Sequence, residues 1–402
     1  MIAYRDLGRN RRRSFLTMLA VALGLALLMV MNGFVAGTYE DVLQNSIRLE
    51  TGHVQIRAAS YPAEKISLQW ADLLESPDAL AAEAARMPEV QVATPVLRAG
   101  AILATADETA GLQLMGVDVN SPFFDPFREA LVAGEFPAPD DRSGIVLGRY
   151  LANSLGIQVG DKVNLALINA NGQPDEAVFT VRGIFATGIF VYDEGTVFMP
   201  LSKAQAFTGA GERASAILIL LNRRDDAGAV VAALQKPGLS VLTWEELNEV
   251  FLQTLQAAIG FYVILDGIVM LIVAVIIANT LLMSVFERVR EMGILAALGM
   301  KGRQILLMFL VEAFILGLVG VVFGFGLGSL GVSYLSTVGY PVGEEIASAA
   351  GNIPIGSVMY AHFATGTFLS LALWTLIFTL GASLYPAWFA ARLEPVEALR
   401  AL

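Results

Sequence analysis

The chain has 402 residues, of which 55% are hydrophobic and only 16% are charged, and its formal net charge is −11. A soluble domain carries roughly 25% charged residues, so this composition favours a membrane protein. The negative balance argues against nucleic-acid binding, which requires a basic face. The sequence lacks cysteine, which excludes disulfides, thiolate catalysis and Cys-ligated metals. With two histidines, His53 and His362, a His-based metal site or catalytic triad is not expected.

Four apolar segments are long enough to cross a bilayer, which takes about 20 residues. The first is preceded by arginines, as in a signal peptide, but its apolar run is too long for one and no small-residue cleavage site follows it. We therefore predict an uncleaved anchor and four transmembrane helices, at residues 15–37, 257–286, 305–335 and 363–385.

Basic residues near the ends of the apolar segments predict the orientation of the chain. Arginines lie in the lead-in 1–14, four basic residues lie in the bridge 287–304 and two lie in the tail 386–402, whereas the loop 336–362 has none. This asymmetry predicts that both termini and the bridge are cytoplasmic. Residues 38–256 and the loop 336–362 are then expected outside.

The long segment 38–256 alternates strand-like runs, helix-like runs and turn signals. It is long enough to have a core of its own, and we predict an α+β ectodomain made of two small subdomains. Thr243 and Glu246 form a capping-box pattern that begins a helix before the second span. With an outward continuation of the first helix, this pattern predicts a helical stalk. An ordinary pair of anchoring helices is the alternative.

A few polar or small residues interrupt the apolar segments. Asp266 and Glu312 are charges in a membrane environment, where they are costly and often functional. Helix pairing is the favoured role for both, and a proton or ion relay is the alternative. In the third span, Gly320, Gly324 and Gly328 recur at every fourth position, a pattern typical of close helix packing.

Motifs of catalysis are missing from the sequence. It has no G-x-x-x-x-G-K-[ST] loop, no G-x-S-x-G elbow and no H-E-x-x-H pair. The acidic pairs lie in polar turns, where carboxylates are usually solvated. We therefore expect that the chain is not an enzyme and binds neither a cofactor nor a metal itself.

The bridge 287–304 is too short to be a domain. If the second helix continues through Arg290, Gly293 can break it, and a short helix follows. Ile294 and Leu298 then share an apolar face that has no core of its own. That face either lies on lipid or inserts into a groove of a cytoplasmic partner.

Four stretches of the chain resemble one family. ERVREMGILAALGMKGRQI, followed by FLVEAFILGLVG, resembles the core of FtsX-like permeases, the membrane subunits of MacB/LolC/LolE-type ABC transporters. RDLGRNRRRSFLTMLAVALG resembles the N-terminal start of that family, YPAWFAARLEPVEALRAL resembles its C-terminal signature, and residues 116–167 resemble a MacB-type periplasmic core domain. The resemblance implies a protein of the bacterial inner membrane with four transmembrane α-helices and a large α+β extracytoplasmic domain between spans 1 and 2.

The resemblance also implies a role for the bridge, as a coupling helix that docks on an ATPase subunit. The implied partners are two copies of an ABC ATPase, which bind ATP and Mg, and a second permease copy or a paralogue. Five residues match the family pattern E-R-x-R-E-x-G, and with the two apolar residues they form our set of candidate coupling residues: Glu287, Arg288, Arg290, Glu291, Gly293, Ile294 and Leu298.

The substrate is suggested by two short stretches. MNGF at 31–34 and GHVQI at 52–56 resemble the lipoprotein-releasing members, in which apolar residues at the outer ends of spans 1 and 2 line a lipid-accepting cavity. By that resemblance five residues would face acyl chains, and ordinary packing or lipid contact is the alternative for them: Met31, Phe34, Val35, Phe261 and Tyr262.

The favoured function is extraction or export of a lipidated or amphiphilic substrate at the outer leaflet, driven by ATP. Membrane lipid, a lipoprotein, a periplasmic adaptor or a chaperone would be partners. One alternative is efflux of peptides or drugs with an adaptor. Others are a mechanotransmitter that controls a cell-wall hydrolase, and a membrane-anchored ectoenzyme.

Overall fold

The computed structural model describes residues 11–63, 65–105, 108–349, 351 and 353–392, with only the backbone of Arg11, Arg13 and Glu344. Most of the predicted lead-in 1–14 and the last ten residues of the tail 386–402 lie outside these ranges. The described chain divides into two units. We call residues 11–39, 255–340 and 360–392 the helical unit, and residues 40–254 and 341–359 the sheet unit.

Thirteen α-helices lie in the described ranges. In chain order they are α1 (Arg11–Ser46), α2 (Pro77–Ala84), α3 (Asp125–Glu129), α4 (Arg149–Ser154), α5 (Phe190–Gly195), α6 (Leu201–Thr208), α7 (Ala227–Leu234), α8 (Trp244–Leu247), α9 (Glu249–Glu287), α10 (Val289–Ala297), α11 (Gly302–Thr337), α12 (Glu344–Ala349) and α13 (Thr365–Ala391). A π-helical turn, Ile47–Thr51, follows α1.

Twelve strands lie in the same ranges, of which the first ten form one sheet. They are β1 (Val54–Ala58), β2 (Val90–Ala104), β3 (Thr109–Val117), β4 (Leu131–Gly134), β5 (Gly144–Gly148), β6 (Lys162–Ile168), β7 (Pro174–Phe185), β8 (Thr196–Pro200), β9 (Ala216–Leu221), β10 (Leu239–Thr243), β11 (Tyr340–Pro341) and β12 (Val358–Met359).

The ten-stranded sheet is mixed and has the order β10-β1-β9-β2-β3-β8-β5-β7-β4, with β6 paired to β2 and β7. The pairs β3–β8 and β5–β7 are parallel, and the other pairs are antiparallel. Strand β2 has 15 residues, and its first half pairs with β9 while its second half pairs with β3 and β6. This long strand joins the two halves of the sheet.

Two hydrophobic cores lie on this sheet. One is built from β2, β3 and β5 to β8 with α4 and α6, and includes Leu103, Leu147 and Phe179. The other is built from β1, β9 and β10 with α2 and α7, and includes Ile56 and Ile219. The α+β character predicted from the sequence is present, but the expected two subdomains share one continuous sheet, because β2 runs through both cores.

Two helical extensions of the sheet unit are linked by a side-chain hydrogen bond. Helix α1 continues beyond the predicted span 15–37 to Ser46. The predicted capping box is confirmed: Thr243 N donates to Glu246 Oε2 at 2.8 Å and Glu246 N donates to Thr243 Oγ1 at 3.3 Å. The helix that begins there stops at Leu247 and a new one starts at Glu249. Ser46 Oγ donates to the Oδ1 of the intervening Asn248 at 2.7 Å, which links the two extensions.

Among the described residues, four helices are long and apolar enough to cross a membrane: α1 with its π-helical turn, α9, α11 and α13. In the helical unit, α11 packs on α1 through its glycine face. A Cβ added at Gly320 would lie 2.7 Å from Val21 Cβ, and one at Gly324 would lie 2.7 Å from the carbonyl oxygen of Ala22. Glycine is needed there because the two backbones approach so closely.

Candidate coupling and substrate sites

The bridge between the second and third apolar helices turns at Arg288. Helix α9 ends at Glu287, Arg288 has φ −113° and ψ 11°, and α10 begins at Val289. The expectation that the second helix runs through Arg290 and breaks at Gly293 is wrong, since Gly293 is buried in the middle of α10. The break lies earlier because the Arg288 side chain turns inward, where it forms an ion pair with Glu312 at 3.5 Å.

A hydrophobic cluster anchors the bridge to its neighbours. Val285 at the end of α9, Met292 on α10 and Phe309 on α11 are each at most 2% exposed and pack with Ile305 and with two alanines of α13. The backbone of α11 also approaches α13, since a Cβ added at Gly302 would lie 2.6 Å from the carbonyl oxygen of Ala391. Helix α10 is therefore held on one side by three other helices.

The opposite side of α10 carries exposed apolar groups. Ile294 is 47% exposed and Leu298, directly after the helix, is 80% exposed. Gly299 follows with φ +97°, a left-handed conformation that favours glycine and ends the helix. Two aliphatic side chains are thus exposed on the side of the bridge that faces away from the hydrophobic cluster.

The charged candidates divide between two environments. Glu287 and Arg290 are exposed, and Glu291 is half-buried. Arg288 is only 3% exposed and faces Glu312. The structure thus brings Glu287, Arg290 and the two apolar residues to the outside of the bridge, and it places Arg288 and Gly293 inside.

Helices α1 and α9 pair through a polar contact within the helical unit. Asn32 Nδ2 donates to both carboxylate oxygens of Asp266, at 3.0 and 3.1 Å. Farther along the same pair, a Cβ added at Gly24 would lie 2.5 Å from Val273 Cγ2, so the two helices run antiparallel. Asp266 contacts Asn32 of α1, and Glu312 contacts Arg288 of the bridge, so both link separate segments, which favours the pairing interpretation over a relay.

The acyl-chain candidates lie near this polar contact. Phe34 is half-buried and its ring meets that of Tyr340 edge-on at 6.1 Å, whereas Phe261 is 60% exposed and contacts Tyr262. The three candidates on α1 lie within about one helical turn of Asn32, and the two on α9 lie within about one and a half turns of Asp266. Because Asn32 and Asp266 meet, the candidates of the two helices lie at a similar height along the helix pair. They are Met31, Phe34, Val35, Phe261 and Tyr262.

Asn32 and Met292 were missed by sequence reasoning. Asn32 is the one amide in the apolar stretch before Phe34, and its spacing from Asp266 in sequence gives no sign that the two meet. In the sequence, nothing distinguishes Met292 from the other apolar residues of the bridge. A polar residue inside an apolar span is the signal that could have identified Asn32.

In the sheet unit, a buried carboxylate orders the loop that receives residues 341–359. Asp193 accepts hydrogen bonds from Thr187 N at 2.8 Å, Thr187 Oγ1 at 2.7 Å and Gly188 N at 3.0 Å. Burial raises the pKa of Asp193, against the effect of these hydrogen bonds. Gly188 O in turn accepts from Ser357 N at 2.7 Å. The predicted loop between spans 3 and 4 is therefore docked on the sheet.

Among the described residues, no group of three or more His, Asp or Glu could hold a metal ion.

Two family models match this chain. The model for a MacB-like periplasmic core domain matches residues 14–236, more than half of the chain, and the model for an FtsX-like permease C-terminal region matches residues 263–395. The chain belongs to the FtsX-like permeases with a MacB-like core domain. The family predicted from the sequence is confirmed, and this permease is of the ABC transporter type.

Its relatives include a lipoprotein-releasing protein and a macrolide exporter. The permease is 25% identical over 423 residues to the lipoprotein-releasing system transmembrane protein LolC of Neisseria meningitidis, covering 98% of this chain and 95% of LolC. It is 26% identical over 407 residues to the macrolide export ATP-binding/permease protein MacB of Agrobacterium fabrum, covering 97% of this chain and 58% of MacB. Among solved structures, the periplasmic region of MacB from Actinobacillus actinomycetemcomitans matches 52% of this chain and 97% of that region, at 15% identity and a TM-score of 0.35.

Proposed function

We propose that this permease couples ATP hydrolysis by a separate ATPase subunit to the extraction or export of a lipidated or amphiphilic substrate, with lipoprotein release favoured. The observation that carries the proposal is the match to LolC, which extends over nearly the full length of both chains. The match to MacB covers little more than half of a relative whose name also includes ATP binding. Two ATPase copies with their ATP and Mg, and a second permease copy or paralogue, complete the proposed transporter.

The proposed placement is the bacterial inner membrane, with both termini and the bridge cytoplasmic and the sheet unit outside. The distribution of basic residues supports it, because four lie in the bridge 287–304 and none lies in the loop 336–362.

The bridge is the proposed entry point of the energy of ATP hydrolysis. Its exposed pair is Ile294 on α10 and Leu298 directly after it, and the other side of α10 is fixed by Met292 and its cluster. A partner groove that binds these two side chains can displace α9 and α11, because the bridge is fixed to them and moves with them. Arg288 and Gly293 serve this function from inside, by holding the bridge in place.

Truncation of Leu298 tests this coupling. We expect Leu298→Ala to lower substrate-stimulated ATP hydrolysis and transport by about tenfold in the assembled transporter, since a buried apolar anchor is worth about 1–3 kcal/mol. The matched control is Leu307→Ala on α11, which removes the same atoms from a leucine that is 52% exposed. Equal activity of the two variants would contradict coupling through the bridge.

A photocrosslinker at Phe261 tests the substrate. We expect it to capture an acylated protein in membranes, because this side chain is 60% exposed near the Asn32–Asp266 contact. The same crosslinker at Leu330, which is 70% exposed on α11, is the control for general lipid contact. Equal capture at both positions would contradict a substrate cavity. Capture of a peptide or drug at Phe261 instead would favour the efflux alternative, which the identity with MacB supports.

A further inference from the structure

A polar cavity of about 410 Å³ lies within the sheet unit. It is formed by the end of α1, the π-helical turn, strands β1 and β2, and the segment 341–359. Among the side chains around it are Ser46, Glu50, Arg57, Arg98 and Asn248. The volume falls in the range of small-molecule sites, roughly 300–1,000 Å³.

Arg98 is a buried cation in the wall of this cavity. It is 7% exposed, and its Nη2 donates to the carbonyl oxygen of Glu50 at 2.6 Å. Its Nε is buried and has no hydrogen-bond partner among the residues that the structure describes. A buried donor on a charged group is costly to leave without a hydrogen-bond partner. The guanidinium of Arg98 therefore contributes a positive charge to the wall of the cavity.

Arg57 lies in the same wall, and the positive charge of Arg98 acts on its guanidinium group. Burial, and then the positive charge of Arg98, lower the pKa of Arg57 to about 10. Its Nε donates to Gln55, and its guanidinium lies 5.2 Å from the centre of the Tyr61 ring. Two guanidinium groups that repel each other in a partly dry site are stabilised by an anion between them.

The other charged groups around the cavity leave a positive balance. Lys65 adds a third cation to Arg57 and Arg98, and Glu50 is the one carboxylate among the described residues of the lining. The carboxylate of Glu50 accepts a hydrogen bond from Tyr192 Oη at 3.2 Å.

We propose that this cavity binds a phosphate group, carried by a phospholipid headgroup or by a free phosphate. Planar guanidinium groups bind phosphate oxygens in pairs, and the two guanidinium groups with the ammonium group of Lys65 supply positive charge and donors for a tetrahedral anion. The cavity is large enough to hold the substituent of the phosphate as well. The site does not depend on the substrate proposed above, because none of the acyl-chain candidates lines it.

Calorimetric titration of the purified full chain in a phosphate-free maltoside detergent tests the site. The probes are inorganic phosphate and glycerophosphoethanolamine, a soluble phospholipid headgroup. We expect saturable binding to the unmodified chain and about tenfold weaker binding to Arg57→Gln, since loss of a charge-assisted contact to an anion is worth roughly a factor of ten. The matched control is Arg142→Gln, which removes one exposed arginine of the same unit and should bind as the unmodified chain does.

The two probes distinguish the source of the phosphate. Tighter binding of the headgroup supports a phospholipid, and equal or tighter binding of inorganic phosphate supports a free phosphate. The proposal is overturned if neither probe binds saturably, or if Arg57→Gln and Arg142→Gln weaken binding equally. Should Arg57→Gln fail to fold, competition on the unmodified chain decides: sulfate should displace the probe, and failure to displace it overturns the site.

Discussion

At the scale of single residues, the ion pair between Arg288 and Glu312 explains the shape of the bridge. Both side chains are 3% exposed and their charged atoms are 3.5 Å apart. A buried pair is stabilised by mutual attraction, but removal of one partner leaves a charge in a low-dielectric environment. The pair therefore fixes the point at which α9 stops and α10 begins.

Replacement of one member of this pair should destabilise the helical unit. We expect Glu312→Leu to lower the free energy of unfolding by about 3 kcal/mol, because the buried Arg288 then loses the attraction of this carboxylate. The double variant Arg288→Met/Glu312→Leu should recover most of the loss, since apolar groups of similar volume are compatible with the site. Thermal unfolding in detergent measures both. A double variant less stable than Glu312→Leu would contradict this account.

Asp141 predicts an effect of pH on the sheet unit. Its carboxylate accepts from Ser143 N at 2.9 Å, Gly144 N at 2.8 Å and Arg182 Nε at 2.9 Å. Burial acts to raise the pKa of Asp141, but these hydrogen bonds and the charge of Arg182 outweigh it and hold the pKa below 3.8. The stabilisation is therefore present above pH 3.8 and is lost as pH falls through the lowered pKa.

We expect Asp141→Asn to lower the unfolding temperature of the sheet unit at pH 7 and to lower it less at pH 3, because acid removes the same carboxylate charge. The matched control is Asp140→Asn at the exposed neighbouring position, which should change neither value. Differential scanning fluorimetry at both pH values provides the measurement. An equal loss at pH 7 and pH 3 would show that the ionised carboxylate is not the stabilising form.

At the scale of elements, the glycine face of α11 sets how closely α1 can approach. Gly320, Gly324 and Gly328 are buried, and a Cβ at any of them would lie less than 3.0 Å from an atom of α1. Helices in a membrane associate mainly through such close packing, because lipid supplies little hydrophobic driving force.

A single added methyl group should therefore separate the two helices. We expect Gly324→Ala to lower the free energy of unfolding by about 1–3 kcal/mol through overpacking, since its Cβ would meet the backbone of Ala22. Gly326→Ala is the control, as it lies on the same helix with no heavy atom within 4 Å, and it should be neutral or slightly stabilising. Thermal unfolding in detergent compares them, and equal stability of the two variants would contradict the packing role.

At the scale of the whole molecule, the segment between the third and fourth apolar helices belongs to the sheet unit. Residues 341–359 group with residues 40–254. Ile189 and Gly356 form an antiparallel β-bridge, and Asn45 Nδ2 donates to the carbonyl oxygen of Pro354 at 3.1 Å. The sheet unit is therefore built from two separate stretches of the chain, residues 40–254 and 341–359.

A disulfide across the β-bridge tests whether this segment moves with the sheet. Antiparallel partners have Cα atoms about 4.5–5.5 Å apart, within the range that a disulfide spans. The natural chain has no cysteine, so Ile189→Cys/Gly356→Cys introduces the one pair. We expect oxidation to form the bond, seen as a mobility shift, and transport to persist. Each single variant is the control, and loss of transport on oxidation of the double variant alone would contradict a rigid attachment.

The apolar runs and the family motifs are read directly from the sequence, because span length and motif identity are local properties. Four membrane-length helices, a mixed α+β domain and the family follow from them. Only the tertiary structure shows which side chains from distant parts of the chain meet. The inward turn of Arg288, the Asn32–Asp266 contact and the cavity around Arg57 and Arg98 each join segments whose proximity depends on packing, and a linear pattern carries no sign of it.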